Sequence, residues 1–374
     1  MIRVAADQYL YDIKSYLPED VTLTFYDPSD SLPDLRGTHA LLLRTVNPIT
    51  PQSLPKIPAS LSFVGTGSSG TDHINQPYLE ANNITFADAA GCNARSVAEY
   101  VTVGLLLWAE RTTHSLEELT ISIIGMGHVG TQVNQLLQKL GIKTICYDPP
   151  RDLRESSFHS ASLKRVLSSN ILTFHTPLTT AGKYPTRHWL DAETLSGSHF
   201  KLVINAARGG VIHEEALLNS YKSGSVSDFI LDVWENEPQI HKRSAERAFL
   251  KTPHIAGYSV QAKRNASKFI ADALLNHFDL KRERKPTQPD PIIIQEPIEQ
   301  YGHFSQLMTH LHPIKSYQKR LKYIISQHWN DRGSRFNKLR ASYPLRREFK
   351  NIRLPPAYFE RFPVLDALGF RRIS

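Results

Sequence analysis

Three side chains suited to acid–base and anion chemistry stand just after apolar runs that read as buried parallel strands. Arg208 follows Leu202-Val203-Ile204-Asn205-Ala206-Ala207, Glu237 comes shortly after Phe229-Ile230-Leu231-Asp232-Val233-Trp234, and His254 lies within Thr252-Pro253-His254-Ile255-Ala256-Gly257. Open parallel sheets bind their ligands beyond the carboxyl ends of the strands, so a cation, a carboxylate and an imidazole are expected in one crevice. There a guanidinium fork holds an anionic substrate, an imidazole takes a proton, and a neighbouring carboxylate raises the imidazole from its ordinary value of ~6.5. The chain has 16 histidines, so residue type alone does not single out His254. Its position after Pro253, with Glu237-Pro238 upstream, does. Glu235 is the competing carboxylate.

A glycine pattern of the G-x-G-x-x-G type occurs twice, at Gly125, Gly127 and Gly130 and at Gly65, Gly67 and Gly70, each copy after an apolar strand. Each has an aspartate after it at the same spacing, Asp148 and Asp88 respectively. Dinucleotide binding needs a helix to begin inside the loop, so that its first amides face a pyrophosphate. Val129 to Leu140 has the apolar spacing of such a helix, with Val129, Val133, Leu136, Leu137 and Leu140 on one face. After the other copy, Pro77 would interrupt any helix started at the loop. Gly125, Gly127, His128, Val129 and Gly130 are therefore assigned to a cofactor, and Thr66, in the hydroxyl-rich copy, to substrate. Asp148 is placed to accept from ribose hydroxyls, which favours NAD; Arg151 nearby leaves NADP open.

The elements that must position these residues form two strand–helix alternations. Residues 1–95 carry short strands near Arg3, Val21, Ala40, Leu61 and Ile84. Ser96-Val97-Ala98-Glu99 fits a capping box opening an apolar helix through Trp108. A second alternation runs from Thr120 to Gly257, its β-branched runs suited to a parallel sheet covered on both faces. Phe269 to Leu280 reads as a helix with a basic finish over 281–285, and Pro286, Pro289, Pro291 and Pro297 mark a linker. The expected class is α/β: a flavodoxin-like doubly wound domain over 1–95 with 258–285, a Rossmann domain over 96–257, and a small α+β domain over 286–374. Of the net charge of +8, all belongs to the tail, where 15 Lys and Arg face 7 Asp and Glu. Two cysteines without a spacing pattern argue against a disulfide framework and for a reducing cytoplasm. The first residues read as a strand with no signal-peptide core, and the longest apolar run is too short to span a bilayer.

In Gly125-Met126-Gly127-His128-Val129-Gly130, His175-Thr176-Pro177-Leu178, Asn205-Ala206-Ala207-Arg208-Gly209, Asp232-Val233-Trp234-Glu235-Asn236-Glu237-Pro238 and Pro253-His254-Ile255-Ala256-Gly257, the chain resembles the NAD-dependent D-2-hydroxyacid dehydrogenases. Gly70-Thr71-Asp72-His73, Tyr147-Asp148-Pro149-Pro150-Arg151, Tyr184, Tyr258 and the tail segment 336–349 are similar to members acting on a phosphorylated 2-hydroxy acid. The resemblance implies Arg208, Glu237 and His254 as catalytic residues and Thr176, Ala206, Ala207, Arg208, Asp232 and Gly257 as further NAD contacts. It also implies Thr45, Thr66 and Tyr258 as substrate contacts. Thr45 replaces the family's usual serine, Ala207 a cysteine, and Gly67-Ser68-Ser69 an Ala-Thr-Ala.

A phosphate needs cations, for which Arg44, Arg346 and Arg347 are the candidates, and the tail is expected to form a homodimer that brings its arginines near a site. Other readings are a family member acting on 3-phosphoglycerate or hydroxypyruvate, a non-catalytic NAD-binding scaffold, or a nucleic-acid binder using the basic tail. The intact trio speaks for catalysis, and the tail has no base-stacking motif or zinc finger. His310 and His312 lack metal-ligand spacing, so no metal is expected, and the short apolar runs lead to no expectation of a membrane.

Overall fold

The computed structural model describes every residue except 283–285, 288 and 374, so residues 283–285 of the expected basic helix end lie outside it. The chain divides into two compact units, 1–93 with 259–290 and 94–258 with 291–374.

The first unit is built on five parallel strands: β1 (Ile2–Asp7), β2 (Val21–Tyr26), β3 (Ala40–Leu43), β4 (Phe63–Thr66) and β5 (Thr85–Ala87). Their order, β2-β1-β3-β4-β5, is the flavodoxin-like one. The β3 run, Ala40-Leu41-Leu42-Leu43, is apolar at every position because both faces are covered. Val4, Ala6, Ala40, Leu42 and Phe63 join one cluster, packed with the helix Val260–His277. Ala5, Leu41, Leu43 and Val64, one residue out of phase, join the cluster on the other face. The helix expected from Phe269 begins nine residues earlier, at Val260, where Ser259 caps it by accepting from the Ala262 amide.

The second unit carries six parallel strands, β6 (Thr120–Ile124), β7 (Lys143–Tyr147), β8 (Ile171–Phe174), β9 (Leu202–Asn205), β10 (Phe229–Leu231) and β11 (Leu250–Lys251). They lie in the order β11-β10-β9-β8-β6-β7. Sequence order reverses between β6 and β8, and such a switch point opens a crevice at the strands' carboxyl ends.

Residues 286–374 were expected as a separate domain. Instead the tail shares a core with the Rossmann sheet: Trp108, Ile230 and Leu250 belong to one apolar cluster with Leu307, Tyr317, Phe336, Phe349 and Tyr358. It contains a three-stranded parallel sheet of β12 (Ile292–Ile293), β13 (Ile352–Leu354) and β14 (Arg371–Arg372), with helices that include Ile314–Ile325 and Trp329–Ala341.

The capping box is a second correction. The helix runs Ala94–Thr112, so Ser96 and Glu99 lie inside its first turns. Their side chains serve the tail: Glu99 pairs with Arg346 (Nη1–Oε2 2.6 Å) and accepts from the Phe349 amide, and Arg346 also donates to Ser96. A buried arginine 247 residues away outcompetes the local amides as a partner.

Candidate active site

Gly125, Gly127 and Gly130 divide the work of a phosphate-binding turn. Gly125 follows β6 with φ +91°, and a side chain there would strike the His175 carbonyl after β8. Gly130 packs its α-carbon onto the Gly125 carbonyl, where a Cβ would sit 1.9 Å away. Gly127 faces open space and caps the helix His128–Lys139. Tight turn, close helix–strand packing and an open approach to helix-end amides are what a pyrophosphate requires. Beside this loop, Thr176 Oγ1 and His175 Nδ1 are buried with no hydrogen-bond partner among the described residues, two polar atoms available to a bound group. Burial pushes the His175 imidazole down to about 3, so it is neutral.

Asp148 follows β7 and binds the loop, accepting from the amides of Met126 (2.8 Å) and Arg151 (3.0 Å). Arg151 is turned inward: Nη1 donates to the Met126 carbonyl at 2.7 Å, Nε pairs with Glu155, and the guanidinium lies over Phe158. It is thereby occupied away from a 2′-phosphate, and the site's residues fit NAD. The copy at Gly65 has no helix at its turn; the next one, Gln76–Ala81, starts at an Asn75 cap with Pro77 in its first turn.

Glu237 and His254 meet beyond the ends of β10 and β11. His254 Nδ1 lies 2.8 Å from Glu237 Oε2, and Glu237 Oε1 accepts from the Trp234 amide at 2.9 Å. Burial opposes charge on the imidazole, but Glu237, its hydrogen bond and Asp232 outweigh burial and Arg208, so the His254 pKa is raised. Glu237 is lowered: burial would raise it, and His254, the Trp234 amide and Arg340 overcome that. His254 has a left-handed backbone, φ +58°, held by its amide donating to the Asp232 carbonyl at 2.7 Å. Strain of that kind in a non-glycine residue persists where surrounding bonds over-determine it. The competing Glu235 is committed elsewhere, to His188 Nε2 (2.6 Å) and the Glu214 amide. Arg208 caps the turn Gly209–Val211 after β9, its Nη1 donating to the Ala207 carbonyl. Gly209 lets this turn touch the β10 loop, since a Cβ would stand 1.9 Å from the Trp234 carbonyl oxygen.

Residues 97–256 match the model of the D-isomer specific 2-hydroxyacid dehydrogenase NAD-binding domain. The chain is 36% identical over 319 residues to an erythronate-4-phosphate dehydrogenase from Bacteroides thetaiotaomicron, covering 84% of this chain and 88% of that one. It is 34% identical over 349 residues to one from Edwardsiella ictaluri, covering 90% of each. The chain belongs to the erythronate-4-phosphate dehydrogenase family. It is an NAD-dependent oxidoreductase with the D-2-hydroxyacid dehydrogenase type of NAD-binding domain. Its fold is like that of D-lactate dehydrogenase from Aquifex aeolicus (TM-score 0.60, 23% identity, 74% of this chain and 95% of that one). D-2-hydroxyisocaproate dehydrogenase is similar too (TM-score 0.62, 20% identity, 74% and 97%).

Other residues singled out in the sequence fall into different surroundings. Asp232 is fully buried and saturated, Oδ1 accepting from Thr252 Oγ1 (2.6 Å) and the Ile255 amide, Oδ2 from the Ala256 amide. Thr66 Oγ1 lies 3.0 Å from both Ser68 Oγ and His73 Nε2; Thr45 is exposed in the turn after β3. Arg44 is tied by Nε to buried Asp7 at 2.8 Å. Tyr258 packs edge-on to Tyr343 of the tail at 5.9 Å.

Arg346, expected on a phosphate, is instead enclosed with Glu99 and 6% exposed. Reaching a ligand would break that buried pair and the bonds of Arg346 to Ser96. Arg347 is half-buried, with Nη1 unpartnered among the described residues. Sequence reasoning missed Thr252 and Tyr100, whose hydroxyls lie 2.6 Å apart behind Asp232, and Glu214, which binds the Glu235 amide. A lone tyrosine hydroxyl in an apolar helix was the only local sign of the first.

Proposed function

We propose that the protein oxidises 4-phospho-D-erythronate at C2 to (R)-3-hydroxy-2-oxo-4-phosphobutanoate, a step of pyridoxal 5′-phosphate biosynthesis. The 2.8 Å contact between His254 Nδ1 and Glu237 carries the reading, because it frees the other ring nitrogen to act as base. That nitrogen takes the proton of the C2 hydroxyl, and Glu237 compensates the imidazolium so formed. Arg208 binds the substrate carboxylate in its fork and stabilises negative charge developing on the C2 oxygen. NAD, when bound, accepts the C2 hydride. Gly125, Gly127, His128, Val129 and Gly130 would hold its pyrophosphate and Asp148 its ribose. Thr176, Ala206, Ala207, Arg208, Asp232 and Gly257 would line the remainder. Thr45, Thr66 and Tyr258 are the proposed substrate contacts, with Arg44 and Arg347 the proposed cations for the phosphate.

No helix among the described residues is long and apolar enough to cross a membrane. A cytoplasmic homodimer joined through 286–374 is proposed with this reading; light scattering on the purified protein tests the dimer. Initial rates with 4-phosphoerythronate, 3-phosphoglycerate and hydroxypyruvate test the substrate. A kcat/KM highest for 4-phosphoerythronate is expected, and preference for either of the others would overturn the assignment.

A further inference from the structure

The tail helix Trp329–Ala341 lies against the loop that carries Glu237. Gln239 Nε2 donates to the Trp329 carbonyl at 3.0 Å, and the rings of His241 and Trp329 are 6.0 Å apart. Gly333, one turn on, sits so close that a Cβ would meet Gln239 Oε1 at 2.6 Å and Pro238 Cγ at 3.4 Å. Residues seven apart lie on the same face of a helix, so Arg340 shares the face of Gly333 two turns later. Just beyond the helix, Tyr343 rests its ring against Tyr258. The helix therefore borders the catalytic loops at both ends of its contact face. Arg340 is half-buried and forms no ion pair among the described residues, whereas Arg346 is consumed by Glu99.

We propose that the tail completes the acid–base apparatus: Arg340 is a positioning residue that keeps Glu237 as a carboxylate beside His254. The inference rests on the reading of His254 and Glu237 as the working pair. Three charged groups face Glu237: His254, Arg340 and, from the helix Glu214–Ser223, Glu214. His254 is faced by Glu237, Asp232 and Arg208. Among the groups acting on Glu237, Arg340 is a cation that favours the carboxylate, and burial of the carboxylate makes that charge count. It offsets Glu214, whose negative form repels Glu237. The basic tail thus has a catalytic use that needs no direct contact with substrate.

The test is the pH dependence of kcat/KM for 4-phosphoerythronate oxidation by the full-length R340Q and R340K proteins, with His254 titrated in parallel by NMR. Without the guanidinium a cation is lost from beside the pair, so Glu237 and His254 each hold a proton to higher pH. The acidic limb and the imidazole titration should both rise, by about half a pH unit for a part-solvated charge. Lysine should restore both, because it returns the positive charge. Folded R340Q protein with an unmoved profile would overturn the proposal, as would a shift that lysine does not reverse. If E237Q alone leaves the wild-type profile unchanged, the pair itself has been misassigned, which is a separate failure.

Discussion

Glutamine in place of Glu237 preserves volume and can still accept from His254, so it removes the charge and little else. Oε2 is 2.8 Å from Nδ1, which places the centres of charge roughly 4 Å apart, worth about 4 kcal/mol at an effective dielectric near 20. The His254 side chain keeps 35% of its surface, so screening reduces this to about 2 kcal/mol, or about 1.5 pH units on the imidazole. Asp232 still raises His254 and Arg208 still lowers it in the variant. Oxidation needs the neutral base, so the acidic limb of kcat/KM should move down by about 1.5 units. The imidazolium formed with hydride departure loses the same stabilisation, so the plateau should fall about 30-fold. Reduction of the 2-oxo acid needs the protonated form, and its alkaline limb should move down in step. Initial rates followed by NADH absorbance across the pH range, in both directions, measure all three. An unmoved limb together with an unchanged plateau would refute the pairing as the source of the base's strength.

Two further outcomes follow from groups outside the pair. Burial, the largest influence on Glu214, raises its carboxyl from 4.5 to about 7, so the folded state keeps a proton that the unfolded chain has released, and stability falls as pH climbs through that window. E214Q should flatten this dependence, matching wild type near pH ~5 and exceeding it by up to about 3 kcal/mol near pH ~8 in urea titrations; parallel curves for the two proteins would contradict it. R346A takes one of two guanidinium partners from buried Glu99, which keeps Arg95 at 2.7 Å, and should cost about 1.5–3 kcal/mol, read as a lower denaturation midpoint. A loss under about 1 kcal/mol would mean that the Arg346–Glu99 pair does not anchor the tail.

Much of this molecule was legible because the deciding interactions are local. Strand runs such as Ala40-Leu41-Leu42-Leu43 are apolar at every position because neighbours two apart face the same layer, and both layers are filled. The choice of Gly125 over Gly65 rested on whether a helix can start within a few residues, which Pro77 forbids and Val129 to Leu140 allows. The positions of Arg208, Glu237 and His254 after their strands were legible for the same reason. Tertiary structure decided what depends on partners far along the chain. The resemblance had already chosen Glu237 over Glu235; tertiary structure gave the one His254 and committed the other to His188. It turned an apparent capping box into the receptor for Arg346, because a guanidinium withdrawn from water needs a carboxylate more than a helix end needs a cap. It merged the tail into the Rossmann core and laid Arg340 beside the Glu237 loop. Spacing along a chain records which residues share a strand or helix face; which charges are left to find each other once water is excluded is settled only when the faces meet.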